Sequence, residues 1–353
     1  MKASERIGTI LAGGIPDDRI GMNDSMWSST IERWRREGLP EGVSAHDHLG
    51  VDDFCLIGAD YSLMLPERIL EQGDDYRVYV DHNGVTCKDV KLPRGWVKYP
   101  MEWAIQSAED WQRYEPHMAF QPARLPASAL STYESGRSKG QFVAFLSHAS
   151  FHPVWELIGQ ENELVWLCER PELVREIALR IADLVIENYE EMKKLGVQFD
   201  GAFLADDMGF RSGPMFSRQM YRQIIWPAHK RICDHLNADG APPILHSDGD
   251  VRDLIPDIIE AGFKGLHPLE VKAGLDIADL KARYGGQIAF YGNIDARVMA
   301  GTREQIEREI STKIPLAKEG GGYIYHSDHS VPDDVPFENY AYTIELVKEY
   351  GAY

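Results

Sequence analysis

From Gly140 to the C-terminus the chain repeats one unit: a short apolar run, a polar cluster, then a stretch with helical spacing of apolar residues. Six runs open such units: Gln141–Leu146, Asp200–Ala205, Pro243–Leu245, Gly265–Leu269, Ile288–Tyr291 and Gly322–Tyr325. A strand that is apolar along its length is buried on both faces, as in a parallel sheet covered by helices. Open doubly wound sheets share this rhythm with (β/α)8 barrels. The open class usually carries a glycine-rich phosphate turn after its first strand, and neither GxGxxG nor GxxxxGK occurs here. The expected fold is therefore α/β, a (β/α)8 TIM barrel forming one domain over residues 1–353. One or two of its strands are concealed in the irregular N-terminal part, residues 1–139.

That part predicts helices near Ile7–Ala12, Met26–Glu37 and Trp103–Tyr114. It also predicts a β-hairpin over 75–92, because Asn83-Gly84 separates two β-prone runs. A helix over Ser217–Leu236 should bend near Pro227. No run of about 18 apolar residues occurs, so no membrane span is expected. The N-terminus lacks the apolar core of a secretory signal, and the four cysteines form no CxxC. Both observations suit the cytoplasm. A net charge of −19 disfavours nucleic acid as a partner.

In a barrel the parallel strands all end on one face, so residues distant in sequence converge there. The runs end in His148 and His152; Asp206 and Asp207; His246, Asp248 and Asp250; His267 and Glu270; Asn293 and Asp295; and His326, Asp328 and His329. Three readings of this mouth stand open. In one, His246, His329 and Asp248 or Glu270 hold a divalent metal, zinc with an open position. In another, Asp206 or Asp207 does acid–base work with a histidine, and strand alternation lets at most one of the two face the site. In the third, the mouth binds a ligand without chemistry. Asp248 and Asp250 could also serve as N-caps of the following helix. His148, His267, Asn293, Asp295 and His326 are the candidate substrate-binding residues.

Several of these segments resemble the uroporphyrinogen decarboxylase superfamily: Asp206–Gly209, Gly213–Met215, Pro227, His246–Asp250 and Ala261–Phe263. So do Pro268–Glu270, Ala273–Asp276, Gly292–Asp295 and Pro336–Asn339, in order from about Phe142 to the C-terminus. The resemblance implies a (β/α)8 barrel. It also implies one of two activities: cofactor-independent decarboxylation, or methyl transfer linked to a corrinoid. True decarboxylases of this superfamily carry an early Arg-Gln-Ala-Gly-Arg segment that binds substrate carboxylates, and the early part here, Met22–Trp27, has none. The methyltransferase branch binds zinc through a His-x-Cys at the strand end matching His246 and a second Cys in the last strand's loop. Residue by residue, His246 keeps the histidine, Asp248 stands for the first Cys and His329 for the second.

A carboxylate and an imidazole make a harder site than two thiolates, better suited to an oxygen donor. The resemblance thus leads to the expectation of a zinc-dependent methyltransferase acting on a small methylated, for example methoxylated, substrate. His246, Asp248 and His329 would bind Zn2+ with Glu270 in reserve, and Asp206 or Asp207 would orient a ligand or act as base. The expected partners are a small-molecule substrate, a corrinoid on a separate protein, and a second copy of the chain as a homodimer. A cofactor-independent decarboxylase is the alternative.

Overall fold

The computed structural model describes residues 1–92 and 95–353. Eight strands form one sheet: β1 (Gly21–Met22), β2 (Phe54–Gly58), β3 (Phe142–His148), β4 (Gly201–Ala205), β5 (Pro243–His246), β6 (Gly265–His267), β7 (Ala289–Tyr291) and β8 (Tyr323–Tyr325). Every ladder from β2 round to β8, and from β8 to β1, is parallel. Between β1 and β2 the ring is tied by one residue. The Asp52 amide donates to the Met22 carbonyl at 2.7 Å, and the Met22 amide donates to the Asp52 carboxylate at 3.0 Å. Arg6 and Arg19 neutralise that carboxylate. This is the expected (β/α)8 TIM barrel, and both concealed strands lie in the N-terminal part.

Strand alternation sorts the side chains into two cores. Phe142, Ala144, Ile244, Ala289, Tyr291 and Ile324 point into the barrel, where Phe54 and Phe203 pack against them. Ile7, Ile10 and Leu11 of the helix Ala3–Leu11 join this cluster and plug the end of the barrel opposite the strand C-termini. Val143, Phe145, Leu204, Leu245 and Leu266 point outward against the helices. The longest helix, Pro171–Lys194, buries Val174, Ile177, Ala178, Ile181, Ala182 and Val185 at helical spacing. Truncating one such buried isoleucine to alanine costs about 2–5 kcal/mol.

The hairpin over 75–92 forms as Tyr76–Val80 paired with Thr86–Leu92. It belongs to a larger structure, a four-stranded antiparallel sheet with Arg68–Gln72 and Gly95–Glu102, inserted between β2 and β3. The outer two strands are exposed throughout, so neither shows the alternation that marks a strand. The bend expected near Pro227 is a π-helical turn over Tyr221–Ile225, directly before Trp226–Ala238. Proline cannot donate to the carbonyl one turn back, and the wider turn accommodates that loss. Among the described residues, no helix is long and apolar enough to cross a membrane.

Candidate active site

A cavity of about 390 Å³ opens at the C-terminal ends of the strands. Phe54, Leu56, Phe203 and Tyr291 form its apolar wall, and Asn23, Ser25, His246, Asp248, His267, His326, His329 and Ser330 its polar part. No Arg or Lys is among the described residues lining it.

Alternation explains which of the two adjacent aspartates reaches the mouth. Phe203 faces the barrel interior and Leu204 the helices, so Asp207 continues the inner row and Asp206 the outer one. Asp206 is fully buried and accepts backbone N–H groups from Ser150, Phe151 and His152 at 3.2, 2.9 and 2.7 Å. It also pairs with His229 Nε2 at 2.7 Å, and His229 Nδ1 meets the Tyr221 hydroxyl at 2.8 Å. Burial works against its charge, but His229 and these donors outweigh burial and hold the Asp206 carboxyl below its ordinary range. Asp206 therefore anchors the helix Phe151–Ile158, and the expectation that it serves as a base is corrected.

Asp207 Oδ1 lies 3.6 Å from His246 Nε2, and Asp248 Oδ1 lies 3.8 Å from the same nitrogen. One donor atom from each of Asp207, His246 and Asp248 falls within 4.8 Å of the other two. The loops that carry them are locked together. The Asp248 amide donates to Asp207 at 3.1 Å, and the Met208 amide to Ser247 Oγ at 2.9 Å. Gly209 and Gly249 pack backbone to backbone, so a Cβ on either would collide with the other loop. Neither Asp248 nor Asp250 is the N-cap of the following helix, which is Val251; Asp250 takes the Arg252 amide at 3.1 Å and the Arg252 guanidinium at 2.6 Å. The Asp248 side chain keeps its oxygens free of hydrogen bonds among the described residues.

His246 Nδ1 meets His267 Nδ1 at 2.7 Å, which turns His246 Nε2 toward the two aspartates. His267 is buried, and burial, then its histidine neighbours, lower its pKa well below the ordinary value, so it is neutral. His326 packs edge-on against His267 and meets Ser25 Oγ at 3.3 Å; burial lowers its pKa too.

The other expected residues are placed differently. His329 lines the cavity, edge-on to Trp27, but stands outside the Asp207–His246–Asp248 group. Glu270 is buried, accepts the Gly249 amide at 3.2 Å and pairs with Lys272 at 3.0 Å, also outside the group. Asp207 occupies the place expected for these two. Asn293 does not line the mouth. It is fully buried at φ 71°, accepts the Ile277 amide and donates to the Leu269 and Leu275 carbonyls. Asp295 caps the helix Ala296–Met299 and pairs with Arg297.

A second polar group flanks Asp207. His148 ends β3 with Nδ1 against the Tyr61 hydroxyl. His152 lies between Asp207 Oδ2 at 3.7 Å and Glu156 Oε1 at 3.6 Å. Burial pulls the His152 pKa down, but the two carboxylates outweigh it and raise it to about 9. Glu156 was not anticipated. Its signal was the His152–Glu156 spacing of four on one helix face.

Residues 100–350 match the family described as uroporphyrinogen decarboxylase (URO-D). The chain is 36% identical over 85 residues to a uroporphyrinogen decarboxylase of Legionella pneumophila (strain Corby), covering 24% of each chain. It is 27% identical over 140 residues to that of Pelodictyon phaeoclathratiforme, covering 38% of this chain and 39% of the relative. The matched stretches thus span well under half the length of these relatives. A methyltransferase from Methanosarcina mazei has a similar structure, with a TM-score of 0.66 at 16% identity over 99% of both chains, which bears on the fold alone. The chain belongs to the uroporphyrinogen decarboxylase family.

Proposed function

We propose that the chain is a zinc-dependent methyltransferase of this family. It would move a methyl group from a small, oxygen-linked methyl donor to a corrinoid carried on a separate cytoplasmic protein. The observation that supports this most is the gathering of Asp207, His246 and Asp248 at the barrel mouth. Zinc–ligand bonds near 2.0–2.1 Å at tetrahedral angles put neighbouring donors about 3.3 Å apart. The 3.6 and 3.8 Å separations here are close to that and too long for hydrogen bonds. His246 has its second nitrogen held by His267, the outer support that metal-bound histidines ordinarily have. The residues therefore fit a hard divalent ion with an open position. Once bound, zinc would supply Lewis acidity toward the donor's oxygen.

The chain's own groups do the rest. Phe54, Leu56, Phe203 and Tyr291 exclude water around the methyl-bearing part of the donor. Ser25 and His329 face the same space and would hold its oxygen as the methyl departs. Decarboxylation of a porphyrinogen, the activity of the curated relatives, is the runner-up. Its several carboxylates would need cationic partners, and the described lining has neither Arg nor Lys.

The test is anaerobic incubation with methoxylated aromatics and free cob(I)alamin, followed by absorbance. The expected result is conversion to methylcobalamin that stops with a chelator and in His246→Ala. Chelator-insensitive carbon dioxide release from a carboxylated substrate would replace this reading with the decarboxylase. A coloured complex without turnover would replace it with a binding protein.

A further inference from the structure

We infer that His267 presents its Nε2–H to an uncharged acceptor oxygen at the end of the methyl donor that lies away from the metal, so that the donor carries two oxygens; this rests on the metal reading of His246. His267 ends β6 beside His246 at the end of β5, and the two are register partners. Their Nδ1 atoms meet at 2.7 Å, so one of them carries a proton and the other accepts it. A histidine whose Nε2 ligates a metal keeps its proton on Nδ1. His246 is then the donor of that hydrogen bond and His267 the acceptor. An imidazole that accepts at Nδ1 carries its one proton on Nε2.

The two nitrogens of an imidazole lie on different sides of the ring. Contact through Nδ1 therefore turns the two Nε2 atoms away from each other, that of His246 toward Asp207 and Asp248 and that of His267 away from them. The His267 ring lines the cavity, yet its Nε2 is buried with no hydrogen-bond partner among the described residues. The groups packed around the ring are engaged elsewhere. Tyr291 donates its hydroxyl to Asn23 Oδ1, while His326 meets the Ser327 carbonyl through Nδ1 and Ser25 Oγ through Nε2. Phe203, with ring centroids 5.3 Å apart, offers no acceptor atom. A buried donor without a partner is costly, and a bound acceptor would satisfy it.

The lining selects the class of acceptor. No Arg or Lys is among the described residues around the cavity, and Phe54, Leu56, Phe203 and Tyr291 make its wall apolar. A carboxylate or phosphate beside His267 would lack a countercharge, so an ether, hydroxyl or carbonyl oxygen fits and an anion does not. A thioether sulfur accepts only weakly, and an alkyl group not at all. The fitting donor is a single aromatic ring with one methoxy oxygen toward the metal and a second, neutral oxygen across the ring.

The experiment uses zinc-loaded protein, with uptake measured by equilibrium dialysis. Nitrogen NMR on isotope-labelled histidine reads the tautomer, the His267 signal being the one missing from His267→Asn or His267→Gln. Calorimetry compares para-dimethoxybenzene with para-ethylanisole, which has the same shape without the second oxygen, and with para-methoxybenzoate. The expected result is about one equivalent of zinc and the His267 proton on Nε2. Dimethoxybenzene should bind about tenfold more tightly than ethylanisole, and more tightly than methoxybenzoate. His267→Asn, whose amide oxygen still accepts from His246, should keep the zinc and lose the preference. Zinc bound with the His267 proton on Nδ1, or with the two neutral probes held equally by wild type, would overturn the Nε2 donor and leave the metal site standing. Tighter binding of methoxybenzoate would overturn the uncharged acceptor. No zinc uptake by folded wild type would remove the metal reading and the role of His267 with it. The wild-type preference needs no variant, so a failure of either to fold leaves the test intact.

Discussion

On the β3–β5 side of the mouth, Asp207 and Asp248 stand 3.6 and 3.8 Å from His246, and the Asp248 oxygens carry no hydrogen bond among the described residues. On the β7–β8 side, Asn293, Asp295 and Asp328 occupy equivalent strand ends, yet each is engaged. Asn293 bridges three backbone groups, Asp295 caps a helix, and Asp328 accepts the amides of Val271 and Ala296 at 3.1 and 3.0 Å. The same side-chain types thus build the fold on one side, and on the other Asp207 accepts the Asp248 amide while the Asp248 oxygens stay free. Engaged groups stabilise the loops; unengaged groups sacrifice stability at the site where a ligand can satisfy them.

Mutations should separate the two sides. The largest loss of stability is expected at Asp206, which is engaged although it neighbours Asp207. Asp206→Ala leaves His229 and three amides without their partner and should cost about 3–5 kcal/mol by chemical denaturation. A cost below about 1 kcal/mol would break the distinction. Asn293→Ala should follow at about 2–3 kcal/mol, because two buried carbonyls and one amide lose their partner at a residue with positive φ. Its metal uptake, measured on the folded fraction, should match wild type.

An intermediate, pH-dependent effect belongs to His326. Its folded pKa lies below the ordinary value of about 6.5, so the unfolded chain takes up a proton that the folded chain resists. Stability should therefore fall as pH drops below about 6.5, and the loss should level off below the folded pKa. Melting curves from pH 8 to 5 should show a shallower decline in His326→Gln than in wild type; parallel declines would contradict the reading. The smallest effect on stability is expected at Asp248. Asp248→Ala should stay within about 0.5 kcal/mol of wild type, because nothing depends on its oxygens. The same change should weaken zinc binding by more than the roughly 10–100-fold typical of an outer-shell loss.

The barrel was legible because its later strands are short, apolar and regularly spaced, a pattern that burial on both faces imposes. The first two strands were not. Gly21–Met22 is two residues long, and Phe54–Gly58 mixes buried and exposed positions. The exposed strands Arg68–Gln72 and Gly95–Glu102 left no periodic mark either. At the mouth, the strand ends carry the polar loops, and His246 and Asp248 lie 3.8 Å apart there. Which side chain of a loop turns inward was legible only where strand alternation continued past the strand, as it does for Asp206 and Asp207. His329, Glu270 and Asn293 sit beyond that reach, in turns whose hydrogen bonds decide their direction. Asn293 in particular looks like a mouth residue in sequence, and the left-handed turn it occupies carries its amide into the protein.

The most direct test of the metal centre is anomalous diffraction at the zinc edge from crystals of zinc-loaded protein. The account predicts a peak bonded to His246 Nε2 and to carboxylate oxygens of Asp207 and Asp248. A peak held by His329 or Glu270 in place of Asp207, or none at the barrel mouth in fully loaded crystals, would contradict it.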